Sequence, residues 1–417
     1  MHVRMLWKAW YGDEELVVNF PDGWDVQVAR MQDAPDMEDA AIDRAFDNTI
    51  GSGSIEELSR GKRSVAIAVD DLTRPTQAAR LIPPLLRRLE YAGIRRENIV
   101  IISALGGHRP MTQLDFEKKL GPGIVAAVMT RNHNLYGNLV EAGATRRGVV
   151  TVNRFFAEAD VKIGVGCVCP HDLAGFSGGA KIVLPGVAGI DTLEANHRPA
   201  SVGDGDKSAG VGSIEGNETR KDMEDFARKI NLDLVVNVVV NSTRGIAGTF
   251  VGHVVEAHRE AVALARQVYA TRTPEEPVDI AVLNAYPKDT ELNQSLSAFN
   301  VLGRFGEPDF LTERGTIVII AASSEGRGVH VLYERGMKLH RYPDESPKFK
   351  GLLQQRHRII ILSPTVHQND VLEWYPKGTL LARTWDDVLS ALRRTGARPS
   401  VAVFPCSTIQ IPRESGC

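Results

Sequence analysis

The chain has 417 residues, of which 43% are hydrophobic and 24% charged, with a formal net charge of -3. This is an ordinary globular composition, long enough for two domains that each bury a core. The small negative balance excludes nucleic acid or an anionic membrane as the main partner. No run approaches the ~20 apolar residues of a membrane span. Four cysteines (Cys167, Cys169, Cys406, Cys417) are too few for a disulfide scaffold. The N-terminus turns acidic at Asp13 without an apolar signal core. A cytoplasmic enzyme is the expectation.

In chain order, weak alternation over 15–30 predicts a hairpin turning at Pro21-Asp22-Gly23. Helical spacing follows over 36–46. The apolar run SVAIAV (64–69) predicts a buried parallel strand ending at Asp70-Asp71. An amphipathic helix over 76–92 and a second strand, NIVIIS (98–103), complete a βαβ unit. A third strand near 160–164 leads into CVCPHDLAGFSGGAKIVLPGVAGIDTLEANH (167–197). Ligands on open α/β sheets bind at the carboxyl ends of strands. The loops carrying Arg74, His108 and His171 therefore predict one crevice. After a linker near TRTPEEP (271–277), strands at 278–284, 316–322, 358 onward and 400–405 predict a second α/β unit. The expected architecture is two α/β domains with largely parallel sheets and the active site in the cleft between them. The expected domains are residues 1–270, which carry the site loops and the glycine-rich lysine segment, and 271–417, which close the cleft.

The glycine-rich turn GFSGGAK lacks the Lys-Ser/Thr ending of a nucleotide phosphate loop, because Ile182 follows Lys181. A small anionic group can still sit on backbone N–H groups at Ser177, Gly178 and Gly179. Asp191 and Glu194 are spaced as N-cap and N3 of a helix, a capping box that holds His197 further along. Histidine as a residue type titrates near neutrality, so His108 and His171 suit a paired acid and base working on opposite faces of one carbon. Arg74 suits bidentate binding of a carboxylate, or else ties its own loop by pairing with Asp70 or Asp71. Cys167-x-Cys169 lacks a second ligand pair for zinc, so both read as small buried residues, and His133 reads as structural.

DDLTRPT (70–76), GGHRPMT (106–112), PHDLAGFSGGAKIVLPGVAG (170–189) and Asn196-His197 carry a resemblance, with weaker likeness at YGDEELVVNFPDG and EGRGVH (325–330). The chain resembles the nickel-pincer lactate racemase family of 2-hydroxyacid racemases and epimerases. The resemblance implies a nickel-pincer nucleotide, of the nickel pyridinium-3,5-bisthiocarboxylic acid mononucleotide type, attached covalently at Lys181. It implies His197 as nickel ligand and His108 and His171 as catalytic histidines. Asp71, Thr73 and Arg74 match the loop contacting cofactor and substrate, with Arg74 on the substrate carboxylate, and Gln294 matches a cofactor contact. Hydride would leave C2 for the cofactor and return to the other face, with the histidines handling the hydroxyl proton.

The family pattern of Tyr-Gln followed three residues on by Lys is replaced by Asn293-Gln294 and Ser297, and Lys288 is the substitute candidate for that charge at the substrate. Lactate, a larger or differently charged 2-hydroxyacid, and a sugar acid are equally compatible substrates. Implied partners are that small hydroxyacid and the proteins that make the cofactor, with room for a homo-oligomer. Two other readings stay open. One is a metal-dependent hydrolase or lyase using His108, His171 and His197 without a covalent cofactor; the other is an anion-binding or sensor protein.

Overall fold

The computed structural model describes residues 1–201, 207–302, 309–392 and 398–413, so Cys417 lies outside the described residues. The chain divides into two compact units. One comprises Ala34–Val268 together with His330–Leu332. The other comprises Met1–Asp33, Tyr269–Val329 and Tyr333 onward.

The first unit is built on a six-stranded sheet in the order Ile246–Gly252, Leu234–Val240, Val161–Cys167, Val65–Val69, Ile99–Ser103, Met129–Asn132. Its neighbours are parallel except for the antiparallel pair Leu234–Val240 and Ile246–Gly252. The expected strands form, and every residue of Val65–Val69 and Val161–Cys167 is buried. Continuous apolar runs suit this position because both faces of an inner parallel strand are covered. The Ala78–Tyr91 helix lays Leu81, Ile82, Leu85, Leu86 and Leu89 on its buried stripe, and each such side chain contributes about 1.5–3 kcal/mol.

Strand order matters more for function than strand count. From Val65–Val69 the chain first moves to Ile99–Ser103 on one side, then returns to Val161–Cys167 on the other. At such a reversal the loops leaving adjacent strands diverge and open a crevice at the carboxyl ends.

The second unit carries an all-parallel sheet in the order Leu380–Ala382, Arg358–Leu362, Leu311–Ile320, Val278–Asn284, Ser400–Phe404, Asp25–Val28. Along the central strand Ile280 and Val282 face one core while Ala281 and Leu283 face the other. Two expectations are corrected here. Residues 1–33 belong to this unit rather than to the Ala34–Val268 unit, because Asp25–Val28 pairs in parallel with Ser400–Phe404. The hairpin expected at Pro21-Gly23 does not form. Its place is taken by His2–Trp7 paired antiparallel with Glu14–Asn19, whose connecting backbone N–H groups of Lys8 and Ala9 donate to the buried Asp289 carboxylate at 2.8 and 3.0 Å.

His133 is structural, as expected. Its Nε2 donates to the Ala188 carbonyl at 2.9 Å and its Nδ1 accepts from the Asn153 amide at 3.2 Å, so one neutral ring ties a strand end to the glycine-rich segment. Burial pushes its pKa down to about 4, the Ala188 bond opposing only in part. The unfolded chain then binds a proton that the folded chain refuses, and stability falls as pH drops from 6.5 toward 4. Between pH 7 and 5 this costs about 2 kcal/mol from His133 alone. Urea midpoints at the two pH values should therefore lie closer together in His133→Asn than in the wild type. An unchanged spacing would show that His133 is not held neutral.

Candidate active site

The two aspartates that end the Val65–Val69 strand have separate tasks. Asp70 faces inward. Its carboxylate pairs with the Lys119 ammonium at 2.7 Å and accepts from Thr76 Oγ1 at 2.5 Å and from the Cys167 backbone N–H at 3.2 Å. Lys119, fully buried, also donates to the carbonyls of Asp71 and Arg74 at 2.8 and 3.0 Å. One ion pair thereby fixes the DDLTR loop against the Gln113–Leu120 helix and the end of the Val161–Cys167 strand.

Asp71 carries the chemistry-facing side. Its Oδ1 accepts from the Thr73 N–H at 2.9 Å and from the Thr73 hydroxyl, and its Oδ2 lies 2.7 Å from His108 Nδ1. Burial alone would raise the Asp71 pKa, but His108, Arg74 and Thr73 outweigh it and hold the carboxyl well below the usual range. Asp71 is therefore a carboxylate that accepts the His108 Nδ1 proton. His108 Nε2 is left as the basic nitrogen, the arrangement a general base needs. Arg74 Nη1 donates to the Thr73 hydroxyl at 3.0 Å and to its carbonyl at 3.3 Å. Arg74 thus ties its own loop through Thr73, and its charge helps to lower the Asp71 pKa.

The glycine-rich segment is shaped from behind by Arg220, a residue that motif reading missed. This buried guanidinium donates to the carbonyls of Ala174 (3.2 Å), Gly178 (3.1 Å) and Phe176. Burial lowers its pKa to about 10, leaving it charged. Gly178 has φ +75°, and a Cβ there would lie 2.8 Å from Asn237 Oδ1 and from Val168 Cγ2, so glycine is required. The Gly179 N–H donates to Asn237 Oδ1 at 2.8 Å, and the Ser177 N–H donates to the Cys169 carbonyl at 2.8 Å. The Ser177 hydroxyl donates to the Cys167 carbonyl at 2.6 Å and accepts from the Cys169 N–H at 2.9 Å. Of the three N–H groups expected to cradle an anion, those of Ser177 and Gly179 are thus turned into the protein. Cys167 and Cys169 are buried, as expected, and form no disulfide, Cys169 Sγ lying 3.4 Å from Cys167 Sγ.

Asp71, Arg74, His108, Ser177, Gly178 and Lys181 line one cavity at the carboxyl ends of the strands. His171 is not among the described residues that line it. It sits on the short ladder Pro170–His171 with Gly175–Phe176, where its Nδ1 accepts from the N–H groups of Leu173 (3.1 Å) and Ala174 (3.3 Å). Asp172 Oδ1 lies 3.3 Å from the same nitrogen and can hold its proton when the ring is charged.

His197 lies on the helix Ile190–Ser201. The helix begins at Ile190, so Asp191, expected at the N-cap, falls inside its first turn. His197 Nδ1 donates to the Leu193 carbonyl at 3.1 Å, leaving the Nε2 lone pair for a ligand. Burial, then the Lys181 charge, pushes its pKa down to about 3, so the ring stays neutral, as a metal ligand must be. These features fit a lysine-tethered cofactor whose metal takes one imidazole. Among the described residues no group of three His, Cys, Asp or Glu side chains is placed to hold a metal ion, so a site made of His108, His171 and His197 alone has no ligand set.

His330 was not singled out from the sequence. Its ring stands 5.7 Å from that of His108 and 6.4 Å from that of His197. Only its place in EGRGVH hinted at it. Lys288 and Gln294 belong to the other unit. There, Lys288 is buried in the loop after Val278–Asn284, and the Gln294 N–H donates to the Glu291 carbonyl at 3.1 Å.

Lys119→Met strands the Asp70 carboxylate in the interior and should cost about 3–5 kcal/mol, read as a lower urea midpoint. Adding Asp70→Asn removes that charge and should recover part of the loss. Equal losses in the single and double variants would exclude the ion pair as the tie between these loops.

Residues 11–209 match the model of the lactate racemase N-terminal domain. A lactate racemase from Lactiplantibacillus plantarum is 28% identical over 389 residues, covering 88% of this chain and 89% of its own. One from Thermoanaerobacterium thermosaccharolyticum is 29% identical over 306 residues, covering 71% and 68%. The structure of the lactate racemase apoprotein from T. thermosaccharolyticum superposes with a TM-score of 0.77 at 25% identity, covering 99% of this chain and 100% of that one. A protein from Thermotoga maritima shares the fold, with a TM-score of 0.65 at 17% identity, covering 91% and 100%. Residues 11–209 thus match a lactate racemase N-terminal domain, and the chain is similar in sequence and fold to lactate racemases over most of its length.

Proposed function

We propose that this chain is a racemase or epimerase of a 2-hydroxyacid, acting by proton-coupled hydride transfer with a nickel-pincer nucleotide tethered at Lys181. The carrying observation is the Asp71–His108 pair in the same cavity as Arg74 and Lys181. When bound, the cofactor would supply a hydride acceptor for C2. Lys181 would hold it covalently, and His197 Nε2 would be the protein ligand to its nickel.

The chain's own residues handle position and protons. Arg74 holds the substrate carboxylate by its planar fork. His108 Nε2 takes the hydroxyl proton of one enantiomer, and Asp71 keeps the ring in the basic tautomer and stabilises the imidazolium that forms. His171 serves the other enantiomer. Its neutral ring carries the proton on Nε2, because Nδ1 accepts two backbone N–H bonds, and it is thus set to donate. Asp71 is buried whereas Asp172 is half-exposed, so the two histidines are supported unequally. Gln294 and Lys288 complete the proposed cofactor and substrate contacts. The reading includes a cytoplasmic enzyme matured by the cofactor-making proteins.

Protein produced alongside those proteins should gain mass at Lys181 and carry about one nickel per chain. A 2-deuterated 2-hydroxyacid racemised in ordinary water should keep its deuterium, since hydride returns to the carbon it left. Loss of the label to solvent, or an unmodified Lys181 in a matured sample, would overturn the reading. His108→Ala and His171→Ala should each lose at least about 100-fold in rate while retaining the added mass. Full activity in either would remove that histidine from the pair.

A further inference from the structure

We propose that His330 is a third imidazole of the active site, donating a hydrogen bond from Nε2 to an oxygen of the bound 2-hydroxyacid, an assignment that rests on the racemase reading above. The racemase reading as stated gives this residue no task. His330–Leu332 nevertheless pack with the unit that carries His108, and the Val331 N–H donates to the Gly107 carbonyl at 3.0 Å. The His330 ring meets His108 edge-on at 77° and 5.7 Å, and lies 6.4 Å from His197. It therefore stands beside both the proposed base and the proposed nickel ligand.

Gly107 is what admits it. A Cβ at Gly107 would lie 2.8 Å from His330 Cε1 and 3.1 Å from each ring nitrogen, too close for any side chain without moving the ring. Burial, then the charges of His108, His197, Lys181 and Arg74, disfavours the charged form of His330.

The tautomer then gives the ring its role. The Leu332 N–H points at His330 Nδ1 at 3.4 Å, so the proton of the neutral ring sits on Nε2. His108 has the opposite arrangement, with Nδ1–H given to Asp71 and Nε2 accepting. A neighbouring acceptor and donor match a molecule that carries a hydroxyl donor and a carboxylate acceptor on adjacent carbons. Such a molecule is a 2-hydroxyacid.

The test is binding of glycolate, an achiral 2-hydroxyacid, measured by calorimetry on cofactor-matured protein, with the mass at Lys181 recorded for every sample. His330→Leu should bind glycolate about 10- to 100-fold more weakly at unchanged loading, the loss expected for a hydrogen bond to a charged acceptor. His330→Gln, which keeps an N–H donor near the Nε2 position, should recover most of that affinity. Gly107→Ala, which displaces the ring without removing it, should weaken binding in the same direction and serves if His330→Leu does not fold. Wild-type affinity in loaded His330→Leu or Gly107→Ala would overturn the assignment and leave the racemase reading intact. A loss in His330→Gln as large as in His330→Leu would also overturn it. A matured wild-type sample without added mass at Lys181 would overturn the racemase reading, and this assignment with it.

Discussion

The site depends on one buried carboxylate that does no chemistry. Asp70 joins Lys119, Thr76 and the Cys167 N–H, and thereby locks together the ends of adjacent parallel strands and the loop between them. Such a group is costly to bury alone and tolerable only when its donors converge on it. Asp70 and Asp71 both line the cavity, but Asp70 is taken up by Lys119, Thr76 and the Cys167 N–H, whereas Asp71 meets His108.

The histidines of this unit are sorted by what meets their Nδ1. At His108 it is a carboxylate, which leaves a basic Nε2. At His197 it is a helix carbonyl, which leaves a neutral lone pair for a ligand. At His171 backbone N–H groups occupy Nδ1 and place the proton on Nε2. His258, by contrast, spends Nε2 on the Ser177 carbonyl and helps hold the glycine-rich turn. Burial keeps His133, His197 and His258 neutral, so hydrogen bonding rather than charge distinguishes these imidazoles.

Behind the turn, Arg220 and Asn237 perform work that no motif announces. Arg220 sits on the buried face of its helix with Met223, Phe226 and Ala227, and a cation on an apolar stripe was the one available signal. Its three carbonyl partners come from a loop more than 40 residues away in sequence. Local periodicity reports that a position is buried. It does not report which orphan carbonyls wait there.

The sequence by itself determined the parallel strands and the loops that leave them. Runs such as VAIAV and IVIIS, each followed by polar residues, have few ways to be buried other than inside an α/β sheet with those residues at the carboxyl ends. It also singled out Arg74, His108 and Lys181, which the fold gathers into one cavity. Only the tertiary structure decided that Asp25–Val28 leaves its expected hairpin for the second sheet, that Asp191 falls inside the first turn of its helix, and that His330 stands beside His108. Each of these turns on a partner distant in the chain, where free energy is set by who else competes for the same hydrogen bonds and the same space.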